Sequence, residues 1–204
     1  MTLTLPRRLL IAGALCLLAL IGLVISEARA RAAGREVILA MEPIDPRSLL
    51  TGHYVQLNFS DFLAASDKCP NLTAPQFAAS NSQKGWIALR KRGDRYVAVS
   101  SAPTRAPIED LGEVFVRGNA TCVEAIPATT GPNGFPGRPA SVTMFLAVDR
   151  FHTSQHEAEA IEKAMRDRTT GEPRVLAILS IGADGTPRTK GLIVDGKRIE
   201  LRMF

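Results

Sequence analysis

Asp45-Pro46-Arg47-Ser48-Leu49-Leu50-Thr51-Gly52-His53-Tyr54-Val55-Gln56-Leu57-Asn58-Phe59 begins as a stiff turn and ends as a strand. Pro43 and Pro46 fix φ on either side of Asp45, whose carboxylate can accept bonds from nearby backbone N–H groups. Arg47 can pair with a carboxylate or a carbonyl, and Gly52 frees the backbone where the turn becomes a strand. From His53 onward Tyr54, Gln56 and Asn58 face one way while Val55, Leu57 and Phe59 face the other. That period of two predicts a half-buried strand.

The sequence upstream of this stretch predicts delivery to a membrane. Leu9 to Ile25 is an uncharged apolar run preceded by Arg7-Arg8 and followed by Ser26-Glu27. Its 17 residues would span about 25 Å as a helix, the short end of a membrane crossing. Ala28-Arg29-Ala30 also fits an A-x-A cleavage site, but the run exceeds a usual signal core and arginines crowd that site. The expectation is an uncleaved single-pass anchor over residues 9–26, after a cytoplasmic N-terminus at 1–8 and before a basic linker at 27–35. Basic residues flank both ends, so charge sets the orientation weakly. A long C-terminal body after a short tail favours N-in, with the body at 36–204 outside.

The charge balance agrees with that division. The formal charge is +5, yet residues 1–35 hold five arginines against Glu27, leaving 20 basic and 19 acidic groups for the body. A nucleic-acid binder needs a cationic face, and Arg90-Lys91-Arg92 before Gly93-Asp94 reads as a solvated hairpin turn. No nucleic acid is expected as a partner. Cys16 lies in the apolar run, and Cys69 and Cys122 in the body can either form one disulfide or remain two small hydrophobes.

Downstream, the pattern is mostly β. Glu36–Met41 is a β-rich run. Residues 60–84 are polar and broken by Pro70 and Pro75, predicting a loop with a turn of helix near 61–65. Strands at 85–90 and 95–100 flank the Gly93-Asp94 turn. Residues 113–117 and 121–125 read as two strands about Gly118-Asn119, 127–139 as a Pro/Gly-rich surface loop, and 142–148 as a further strand. The body's one clear helix is predicted at 154–168, with Ser154 and Glu157 in capping-box spacing and an apolar stripe of Ala158, Ile161 and Met165. The apolar run 174–181 followed by Asp184-Gly185 and Asp195-Gly196 predicts a three-stranded meander.

Gly52-His53-Tyr54-Val55-Gln56-Leu57-Asn58-Phe59, behind Asp45-Pro46-Arg47, resembles the signature of the GDYXXLXY family of bacterial membrane-anchored proteins. Members show a Pro-x-Asp-Pro-Arg turn followed by Gly-Asp-Tyr-x-x-Leu-x-Tyr. This chain keeps Asp45, Pro46, Arg47, Gly52, Tyr54 and Leu57, and departs at His53 and Phe59. The resemblance extends over most of residues 9–204. It implies an uncleaved anchor and a periplasmic domain at the inner membrane, beside an integral membrane partner, and it brings no established activity.

His152 and His156 are four apart, but Ser154 caps the helix between them and no third ligand follows at a usual spacing, so no metal is expected. Asp45, Ser48 and His53 are triad residue types, yet one short turn rarely aligns nucleophile, base and orienter. A Ser48 paired with Lys84 or Lys91 is a second hydrolytic arrangement. No phosphate loop or cofactor motif occurs. The expected fold is α+β, mainly antiparallel β as a partial barrel or two-layer sandwich, with one amphipathic helix and an N-terminal transmembrane helix. The expected function is a non-enzymatic interaction or assembly module contacting the bilayer through residues 9–26. A membrane-bound hydrolase using Ser48 or His53 is the alternative. On the first reading Asp45, Pro46, Arg47, Gly52, His53, Tyr54, Leu57 and Phe59 are a structural signature.

Overall fold

The computed structural model describes residues 5–42, 54–63, 68–72, 85–128, 137–148, 150–153, 155–166 and 173–200. Helix α1 (Leu5–Ala33) outruns the apolar stretch by eight residues beyond Ile25. Ala, Arg and Glu are strong helix formers, and Arg31 pairs with Glu27 one turn back at 3.6 Å. The linker expected at 27–35 is therefore helical as far as Ala33.

After α1 come β1 (Arg35–Ala40), β2 (Tyr54–Gln56), β3 (Phe59–Phe62) and β4 (Asn71–Leu72). Next are β5 (Trp86–Arg92), β6 (Arg95–Ala102), a 3-10 turn (Ala106–Ile108), β7 (Val114–Val123), β8 (Ser141–Leu146) and β9 (Arg150–His152). Helix α2 (Gln155–Arg166) precedes β10 (Val175–Ile181), β11 (Pro187–Val194) and β12 (Lys197–Glu200). One sheet runs β1-β10-β11-β12 and a curled one runs β3-β8-β7-β5-β6-β4, with β2 and β9 as a separate pair. Apart from β4, which lies parallel to β6, the pairings are antiparallel. The fold is α+β and mainly antiparallel, with a half-barrel sheet, as the short strands and hairpin turns predict.

The C-terminal meander forms as expected, and β1 adds to its edge, placing Arg35 opposite Ile181 and Ala40 opposite Leu176. Every residue of β10 is buried, which makes it the centre of its sheet. Val37 and Leu39 of β1, Ile87 and Leu89 of β5, and Ile161 of α2 join Leu179 in one core. Ala158, Ile161 and Met165 are the buried stripe of α2, extended by Ala164.

Three expectations are corrected. The strand foreseen over 53–59 is split: Tyr54–Gln56 pairs with β9, Leu57 and Asn58 leave the ladder, and Phe59 opens β3 against β8. Asp61 and Phe62, foreseen in a loop with a helical turn, belong to β3. The two strands foreseen about Gly118 are one ten-residue strand, β7, which changes partner at that glycine. Up to Arg117 it pairs with β5, and from Gly118 with β8. A Cβ at Gly118 would stand 2.5 Å from the Phe145 carbonyl oxygen, so the close crossing that curls the sheet needs glycine.

Candidate functional site

Of the signature turn, Asp45, Pro46, Arg47, Ser48, Gly52 and His53 lie outside the described residues, as do Ser154 and Lys84. The rest of the signature is embedded in the fold. Tyr54 lies opposite His152 in the β2–β9 pair. Leu57 and Phe59 are buried in the core, and Phe59 bridges to Met41 at the end of β1. The Glu42 amide donates to the Asn58 carbonyl at 3.0 Å, so the signature strand is joined to the strand that follows α1. This region links the two sheets.

The half-barrel sheet carries a second cluster at its short-stranded rim. Cys69 and Cys122 form a disulfide with Cα atoms 5.7 Å apart, fastening the segment before β4 to β7. Arg95 donates from Nε to Asp61 Oδ2 at 3.1 Å and from Nη2 to Oδ1 at 3.4 Å. Burial pushes the Asp61 carboxyl above the usual range, and the Arg95 guanidinium opposes that push. Nearby, a groove of about 360 Å³ is lined by Leu63, Lys68, Pro70, Arg92, Val97 and Val99. Sequence reasoning missed the Asp61–Arg95 pair because a lone Asp in a polar run reads as loop, and its partner is 34 residues away.

Helix α1 is braced to the meander. Arg188 Nε donates to both carboxylate oxygens of Glu27 at 3.1 Å. Glu36 of β1 accepts from Lys190 Nζ at 2.7 Å and from Arg198 Nη1 and Nη2 at 2.8 Å. The Arg198 hydrogen bonds first, and that of Lys190 next, hold the Glu36 carboxyl down at about 2. At the junction, a Cβ on Gly34 would come 2.9 Å from the Ile181 carbonyl oxygen, so glycine lets the helix end press on β10. No local motif marks these pairs, which span more than 150 residues of sequence.

Chemically, the described residues offer bracing and recognition. Among them no three His, Cys, Asp or Glu side chains come together as a metal site. At the entrance of α2, Thr153 Oγ1 donates to Glu157 Oε2 at 2.5 Å.

The arrangement defines a class: a mainly antiparallel β domain carried on an apolar helix long enough to cross a membrane, with its signature strand joining the sheets. Within that class the chain belongs to the GDYXXLXY protein family, which residues 16–192 match. No curated protein and no solved structure matches the chain.

Proposed function

We propose that this protein is a non-enzymatic interaction or assembly module, held at the bacterial inner membrane by α1 with its β domain, residues 36–204, in the periplasm. The observation that carries the reading is the uncovered helix. Leu10 and Leu23 are 74% and 69% exposed, and Leu9, Leu15 and Leu18 are exposed with them. Exposed apolar surface on that scale calls for lipid or a partner helix. The Cys69–Cys122 disulfide supports an oxidising compartment for the body, since such bonds persist outside the cytoplasm. The signature then acts structurally, setting the two sheets at a fixed angle to the anchor.

A C-terminal alkaline phosphatase fusion tests the placement. Activity in cells is expected, and an inactive fusion alongside a fluorescent cytoplasmic reporter at the same junction would reverse it. In-cell cross-linking from the body, followed by membrane extraction, tests the module. Recovery of an integral membrane protein is expected, and recovery of the chain alone would count against the role.

A further inference from the structure

We propose that the end of the β domain beside α1 is a lipid-facing surface, on which Trp86, flanked by Arg105 and Arg117, lies in the headgroup layer and binds anionic phospholipid phosphate. The proposal rests on the reading of α1 as a membrane anchor.

The geometry starts at the helix exit. The apolar run ends at Ile25, and Glu27 lies only about 3 Å further along the helix axis. Arg188, at the start of β11, is held on Glu27 at 3.1 Å. The first residues of β11 therefore stand level with the point where the helix leaves hydrocarbon. The headgroup region is about 5–7 Å deep on each side of a bilayer, so the turn just before β11 falls within or beside it.

That turn carries the aromatic cluster. The Gly185 carbonyl accepts from the Arg117 amide, and the Asp184 carbonyl accepts from Arg117 Nε, each at 2.9 Å. The Trp86 ring lies against Gly185, so close that a side chain there would collide with it. The Arg117 guanidinium is 4.7 Å from the Trp86 ring centre, and Arg105 is 5.9 Å from that ring and 4.6 Å from Phe115. Arg105 and Arg117 are exposed and Trp86 is half-buried.

The residue types suit a membrane interface. A half-buried indole is favoured at headgroup level, and a guanidinium matches a phosphate with paired donors. Of the acids nearby, Asp184 accepts from the Thr186 amide and hydroxyl, Glu27 sits between Arg31 and Arg188, and Glu109 makes a solvent-exposed pair with Arg105 at 3.3 Å that a phosphate can displace. Arg29, exposed near the end of α1, adds a further positive charge. Trp and Arg thus gather where the anchor delivers the domain to the bilayer.

Trp86 is the chain's single tryptophan, so its emission reports on this surface alone. The full-length protein is reconstituted into vesicles of phosphatidylcholine with or without phosphatidylglycerol, carrying nitroxide lipids labelled at the headgroup or at the chain end. Headgroup nitroxide is expected to quench Trp86 at least about twofold more than chain-end nitroxide, with phosphatidylglycerol strengthening the contrast. R105Q, which changes an exposed side chain, is expected to weaken the phosphatidylglycerol dependence, and R105Q/R117Q to weaken it further. Trp86 left unquenched by either nitroxide, and as open to acrylamide as in detergent, overturns the proposal while carbonate-resistant protein keeps the anchor standing. Release of the protein by carbonate overturns both.

Discussion

The two sheets hold themselves together by different means. The sheet next to α1 is built on β10, whose seven residues are all buried, and its ion pairs sit outside that dry centre. The curled sheet ends in short strands, β3 and β4, with only four and two residues. Strand β3 still sends Phe59 into the core, and the rim is fastened in addition by the Cys69–Cys122 disulfide and the Asp61–Arg95 pair. Both sheets share one apolar core, and the short-stranded rim of the curled sheet adds cross-links to it.

The sharpest way to break this comparison is to hollow the centre of β10. Leu179 is fully buried, and Leu179→Ala should cost about 4 kcal/mol, read as a lower urea midpoint of the body. Removing the rim's cross-link should cost less. Cys69→Ser opens a loop closed over a separation of 53 residues, for which chain entropy sets a ceiling of about 4 kcal/mol that native strain and residual structure in the unfolded chain lower, and the same loss should follow adding reductant to the unaltered protein. A larger loss from Cys69→Ser than from Leu179→Ala would invert the ranking of the two halves. Hydrogen exchange locates the damage: loosening confined to β4 and β6 is expected for the cysteine variant and global loosening for the leucine variant.

The buried pair gives a smaller and more specific effect. Arg95→Ala leaves Asp61 buried without its guanidinium, and about 2 kcal/mol should be lost near neutral pH, softened by the partial exposure of Arg95. Arg95→Ala combined with Asp61→Asn should recover part of that loss, because no charge is then stranded. A double variant weaker than Arg95→Ala alone would deny Asp61 its dependence on Arg95.

These contrasts also explain what was legible in the sequence. The meander could be read because Asp184-Gly185 and Asp195-Gly196 encode their own turns, and because an unbroken apolar run reports a central strand locally. The curled sheet could not be read as well, since its curl comes from strands that change partners. Gly118 looks like a turn in sequence, yet it is the place where β7 passes from β5 to β8. Tyr54–Phe59 alternates like one strand, but its halves pair with β9 and β8. The candidate surface was hidden for a similar reason: Trp86 and Arg117 become neighbours by facing each other in the β5–β7 pair, and Arg105 and Gly185 close on the same ring from other parts of the chain. Only the end of the apolar run was visible, and good helix formers carried α1 beyond it.

The smallest expected effect separates the halves by its sign. Glu36, on the anchor side, has its carboxyl held at about 2 against an ordinary value of 4.5, so folding is favoured by its ionised form. Its contribution is complete above 4.5 and is lost as pH falls from there towards 2. Asp61, on the rim, is raised from 3.8, so its linkage runs the other way. That contribution is complete below 3.8 and is lost as pH rises through the elevated folded value. Glu36→Gln should therefore flatten the acid limb of a stability–pH profile, and Asp61→Asn should remove a decline on the higher-pH side of that limb. Because Glu36, Lys190 and Arg198 are each about a third exposed, the neutral-pH cost of Glu36→Gln should stay near 0.5–1 kcal/mol and shrink in high salt. Urea midpoints taken across the acidic range at two salt concentrations measure both slopes. Slopes that change in the same direction in the two variants would show that the carboxylates share one environment, and the division between a dry anchored half and a cross-linked rim would fail at the charges.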